Sequence, residues 1–204
     1  MWTQAYEAYL EEIANHCEVA LDAMGELSFS VMNLRRLSFA SKKYHDFHNK
    51  VFHSICLFLT HTGVISGMLW PEKCKESDES DFCLHSKNSI TNKIKKGLSP
   101  AGRSILNNRQ LRSDTRLIFE KMGKESDFRN NIVGSCPDFM NTPLAREICA
   151  YDSMSRVFYF YGEPFKIDDL TVAVYELLNR IRKETEKRHT ASPMFDERPA
   201  QANT

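Results

Sequence analysis

From Lys42 to Trp70 the chain carries an apolar-rich stretch whose hydrophobic residues wrap most of the way round a helix drawn over it. Such an element has to pack on several sides, so it is expected to be the central helix, with Pro71 ending it. Its most apolar part, Val51 to Trp70, is interrupted by His53, Ser54, Thr60, His61, Thr62 and Ser66. It is therefore expected to fall short of a transmembrane span and to be a buried helix.

The remaining elements are read around that helix. Trp2 to Leu27 reads as a helix, with Ala5, Tyr9, Ile13, Cys17, Ala20, Leu21 and Met24 at spacings of three and four, and Gly25 weakening its end. A short separate helix or helical turn is expected over Phe29 to Ala40. Residues 72–89 are charged and serine-rich, a surface loop by composition. Asn92 to Gly97 adds a turn of helix. Ser99-Pro100 opens a helix to about Leu111, and Ser113-Asp114 caps another over Thr115 to Met122. After Pro137 and Pro143 a short helix is expected through Cys149. Arg156 to Tyr161 is strand-like, and with Gly162-Glu163 and Pro164 to Ile167 it suggests a β-hairpin with Phe158 and Phe160 inward and Tyr159 and Tyr161 outward. Asp168-Asp169 cap a final helix, Leu170 to Arg188. The fold class is thus mainly α: a helical bundle with a small C-terminal β-hairpin before the last helix. It forms a single domain over 1–189 followed by a disordered tail over 190–204.

Charge narrows the partners. Lysine plus arginine and aspartate plus glutamate number 27 each, so no global field draws the chain to nucleic acid or to an anionic membrane. RNA remains possible only through a local patch. No secretion signal is expected of Met1-Trp2-Thr3-Gln4, and the six scattered cysteines are expected to be free thiols in a reducing cytoplasm.

Three segments taken together resemble a group of bacterial helical proteins, of unassigned activity, that look related to the HEPN superfamily. They are Phe58 to Pro71, Arg109-Gln110-Leu111-Arg112 leading into Phe128-Arg129-Asn130, and Tyr151-Asp152 followed by Phe158 to Glu163 and the closing helix. In active members of that superfamily an RNxxxH element on a helix places an arginine and a histidine at a dimer interface. The histidine serves as general acid and base, and the arginine stabilises charge on the scissile phosphate. Arg129 and Asn130 match the first two positions here, but Gly134 stands where the histidine should be, and no histidine lies between His85 and His189. The resemblance therefore implies a homodimer with a degenerate catalytic element. The plain alternative for Arg129 is an ordinary surface or salt-bridged arginine.

A second pair, Arg182 and His189, lies two helical turns apart and would share a face. The same region holds Arg180, Lys183, Lys187 and Arg188, which reads either as the one phosphate-binding patch or as a solvated basic helix end that suits the helix dipole. Cys74, Cys83 and His85 lack the tight pair and the fourth ligand of a structural zinc site, and His45, His48 and His53 have no supporting carboxylate pattern. No metal site is expected, and His61 reads as a hydrogen-bonded core histidine. No nucleophile elbow, dinucleotide fingerprint or Walker loop is present, so no cofactor is expected. The sequence points to a HEPN-like binding, regulatory or defence-associated protein. A metal-independent endoribonuclease and a helical adaptor for a protein partner are the alternatives.

Overall fold

The computed structural model describes residues 2–71, 91–98, 104–109, 111–112, 132–134, 149–160 and 162–191. The fold is mainly α with a small sheet before the last helix. Helices α1 (Trp2–Leu34) and α2 (Lys42–Leu69) form a long antiparallel hairpin; helical residues 91–98 make α3; and α4 (Ile167–Ala191) closes the chain. Between them lie β1 (Ile132–Gly134), β2 (Cys149–Asp152), β3 (Val157–Phe160) and β4 (Glu163–Lys166), in that spatial order.

The first helix is continuous for 33 residues, where the sequence suggested a break near Gly25 and a second short helix. The reason is tertiary. Tyr6, Leu10, Ile13, Cys17, Ala20, Met24, Leu27 and Leu34 are all buried, a three–four repeat that runs straight through Gly25. Burying Leu27 and Leu34 outweighs the roughly 1 kcal/mol cost of one glycine in a helix. The face is also rotated from expectation: Tyr6 is buried, while Ala5 is exposed and Tyr9 only half-buried.

Ser41 caps α2, its hydroxyl accepting from the Tyr44 N–H at 3.1 Å, and at the other end the Trp70 N–H donates to Ser66 O at 2.8 Å just before Pro71. The pairing of α2 with α1 is fixed along its length. Tyr9 Oη donates to Met68 O at 2.9 Å, Lys50 pairs with Glu26 at 3.1 Å, and the Phe29 and Phe47 rings meet at 5.9 Å. A second face of α2 receives the sheet through Phe52, 6.4 Å from Phe158. By length and composition α2 is long and apolar enough to cross a membrane, contrary to the expectation from sequence. Four of the six residues that interrupt it are serine or threonine, which lower its hydropathy little. Within the protein, 56% of its most apolar window is buried, as in a core helix.

The expected hairpin is present as β3–β4, with Phe158 and Phe160 inward, Tyr159 half-buried, and Gly162 at φ 88° in the turn. It belongs to a larger sheet. β2 pairs antiparallel with β3, and β1 pairs parallel with β2. Cys149, expected to end a helix, instead begins β2, a strand buried along its whole length. The β2–β3 turn is built on Asp152. Its carboxylate accepts from the Met154 N–H at 2.9 Å and from the Ser155 hydroxyl at 2.6 Å, and Arg156 leaves the turn at φ 53°. Burial alone would raise the Asp152 pKa. The bonds from the Ser155 hydroxyl and the Met154 and Ser155 amides outweigh it and hold the carboxyl below its usual value.

The helix expected from Pro100 to Leu111 is interrupted. Residues 104–107 form a turn, with the Asn107 N–H donating to Ser104 O at 2.8 Å, and helix is present again at Arg109 under an Asn108 side chain that accepts from the Leu111 N–H at 3.4 Å. The last helix is longer than expected at both ends and takes in Thr190 and Ala191 of the expected tail. The 72–89 loop, the Thr115–Met122 helix and residues 192–204 lie outside the described residues.

Candidate functional site

Arg129 and Asn130 lie outside the described residues. Gly134, which occupies the histidine position of the motif, is the last residue of β1 and pairs with Asp152. That part of the element is extended strand, not helix. Arg182 projects from α4 onto α1, where its Nη2 donates to Glu18 Oε1 at 2.9 Å. His189 lies two turns further along the same helix; only its backbone is described.

The basic end of α4 divides into two groups. Arg180 stands 3.8 Å from Glu176 and donates to Leu98 O at 3.4 Å. Arg188 donates to Glu184 at 3.1 Å and lies 4.1 Å over the Tyr6 ring. These arginines, with Arg182, fasten α4 to α1 and α3. Lys183 and Lys187 are exposed and make no ion pair among the described residues. Arg180 and Arg182 are exposed as well but are paired with Glu176 and Glu18, so among the described residues only the two lysines of the five cations face solvent without an ion pair.

The histidines behave unequally. His61 does form a hydrogen bond, to a partner the sequence did not suggest: its Nδ1 lies 2.7 Å from Nδ1 of His16 on α1. One ring must carry the proton and the other the lone pair. Burial, and then the His16 charge, lower the His61 pKa. His48 is buried, stacked on Tyr44 and 5.2 Å from Phe52, whereas His45 and His53 are exposed, so these three do not converge. Among the described residues, no group of three or more His, Cys, Asp or Glu could hold a metal ion. Cys74, Cys83 and His85 lie outside them.

Two features have the geometry of binding surfaces. A groove of about 620 Å³ runs between α1 and α4, its floor Leu10, Ala14 and Ile181 and its rim charged by Glu11, Glu18 and Arg182. At the turn end of the helical hairpin a shallow concavity of about 200 Å³ is bordered by Leu34, Phe39, Tyr44 and Met154. Phe39 and Met154 are 76% and 71% exposed there, with the Phe39 ring 4.7 Å from that of Tyr44. Only the position of Phe39 in the short link between two helices could have suggested this from sequence. Met154 arrives from the β2–β3 turn, where Arg35 holds it by donating to Ser153 O at 3.4 Å.

Fold and surface together define a mainly α protein: a long helical hairpin closed by a third long helix and edged by a four-stranded mixed sheet. Comparison with protein-family models, with curated proteins and with solved structures finds no match to this chain.

Proposed function

We propose that the protein is a HEPN-like helical binding, regulatory or defence-associated component of the cytoplasm that acts as a homodimer and docks rather than cuts. The observation that carries this reading is the apolar end of the helical hairpin. Two large side chains, Phe39 and Met154, stand 76% and 71% exposed across one concavity, supported from beneath by Leu34 and Tyr44. Apolar groups gathered in this way are unusual on a surface that meets only water. The catalytic alternative draws less support. Arg182 is engaged with Glu18, and the motif's histidine position is a strand glycine.

Light scattering on eluted protein tests the proposal. The wild type is expected at twice the chain mass, and a Phe39→Glu/Met154→Glu double variant at the single mass with an unchanged circular dichroism spectrum. If wild type and variant run as the same species, the apolar end is not the dimer surface and the reading fails.

A further inference from the structure

We infer that the C-terminal end of α2 is a binding site for a tetrahedral oxyanion, phosphate or a phosphomonoester, held between Arg112 and Lys95. This inference stands apart from the docking reading and uses none of its residues.

Ser66 and Trp70 lie one turn apart at the end of α2, joined by the Trp70 N–H to Ser66 O bond of 2.8 Å. Arg112 reaches this turn from one direction, its Nη1 donating to Ser66 Oγ at 3.1 Å. Lys95 reaches it from α3, its ammonium 5.8 Å from the centre of the Trp70 ring. Two full positive charges thus converge from separate segments on one helical turn.

Elsewhere among the described residues the partly buried cations have carboxylates. Arg156 stands 2.6 Å from Asp168, and Arg188 3.1 Å from Glu184. Arg112 and Lys95 have none within ion-pair distance among the described residues. Moreover, Arg112 Nε is buried with no hydrogen-bond acceptor; Arg156 Nε shares that state but keeps the Asp168 carboxylate at ion-pair distance, which Arg112 lacks among the described residues. A guanidinium N–H stripped of water and left without an acceptor is costly, and native structures rarely keep one without a purpose.

The helix itself offers a simpler role for the two cations, since its C-terminal carbonyls attract positive charge. That end carries only about half a negative charge, however, so it offsets about a quarter of the charge brought to it. Burial and the nearby Arg112 accordingly depress the Lys95 pKa. An oxyanion would accept from Arg112 Nε–H and neutralise the pair. Arg supplies the planar fork that suits phosphate oxygens, and Lys the compact charge. An adjoining concavity of about 210 Å³, bordered by Trp70, Leu106 and Arg180, leaves room for the ester group. Glu176 also borders it, 3.8 Å from Arg180.

The test is calorimetric titration and thermal melting of the full chain with inorganic phosphate, at ionic strength matched by chloride. Adenosine monophosphate serves as a second arm that separates a free anion from a phosphomonoester. Saturable phosphate binding is expected, weakened at least tenfold in Arg112→Gln and in Lys95→Met. Should Arg112→Gln fail to fold, Lys95→Met alone decides the matter, because Lys95 is only half-buried. Without phosphate, Lys95→Met should melt at or above the wild-type temperature, since it removes a like charge. Tighter binding of the nucleotide than of phosphate assigns the ester; equal binding assigns the free anion. An unchanged affinity in Lys95→Met, or no phosphate effect beyond that of chloride, overturns the site, as does a clear fall in melting temperature of Lys95→Met without phosphate.

Discussion

Two serines of equal burial should respond to the same substitution with opposite sign. Ser66 and Ser30 are both 0% exposed and both lie in helices. The Ser66 hydroxyl donates to Leu106 O at 2.5 Å and accepts from Arg112 Nη1 at 3.1 Å, whereas Ser30 Oγ has no partner. Ser66→Ala therefore strands a buried carbonyl and one N–H of a guanidinium. At about 1–3 kcal/mol for each stranded group, the sum is about 3 kcal/mol of lost stability. For a chain of 204 residues, at about 2–4 °C per kcal/mol, Tm should fall by about 6–12 °C. Ser30→Ala removes a hydroxyl that already lacks a partner, and alanine favours helix by a few tenths of a kcal/mol more than serine does. A gain of about 1 kcal/mol, or about 2–4 °C, is expected. Reversible melts followed by circular dichroism, with urea titrations beside them, give both values. Equal losses in the two variants would refute the argument, because burial alone, and not the bonding of the hydroxyl, would then set the cost.

Three other outcomes follow from particular side chains. The Cys17 thiol is fully buried and pushed up to about 12, which lowers its thiolate population roughly a thousandfold relative to an ordinary cysteine. Mass-resolved labelling should find it inert in the native protein, and labelling as fast as in urea would contradict its placement. His61 has a lowered pKa from burial and then from His16 facing it across the hairpin, so folding favours its neutral form. The stability it confers is present above the ordinary histidine pKa of about 6.5 and declines as pH falls below it. Melts of the wild type between neutral and mildly acidic pH should therefore fall more steeply than those of His61→Gln, and parallel curves would rule this out. A Cβ at Gly97 would stand 2.8 Å from Tyr6 Oη, and Tyr6 is 1% exposed beneath Arg188, so it cannot swing aside. Gly97→Ala should lose about 1–3 kcal/mol by overpacking. Gly25→Ala meets nothing within 4 Å and should gain up to about 1 kcal/mol of helix preference; denaturant titration of the pair decides, and a gain at both positions would mean the Tyr6 contact gives way.

The parts of the fold legible in the sequence are those fixed by local chemistry. Helix α2 announces itself through its apolar wrap and Pro71, and the β3–β4 hairpin through alternating aromatics and a glycine turn. What escaped depends on distant partners. Gly25 looks like a break until the burial of Leu27 and Leu34 beyond it is known. Strands β1 and β2 are three and four residues long, and β2 is buried on both faces, so it shows no alternation to read. Asn108 looked like a helix-interior residue, and only the turn at 104–107 turns it into a cap. The candidate sites are illegible for the same reason. His16 and His61 stand 45 residues apart in sequence, and Lys95, Ser66 and Arg112 come from three segments that no motif links.

The central claim is that this chain docks rather than cuts. It is tested most directly by incubating the purified protein, in chelator and without added metal, with transfer and messenger RNA, beside Arg129→Ala, Arg182→Ala and His189→Ala. Intact RNA is expected with all four proteins. Cleavage by the wild type that disappears in Arg129→Ala, or in both Arg182→Ala and His189→Ala, would contradict the claim and establish the nuclease.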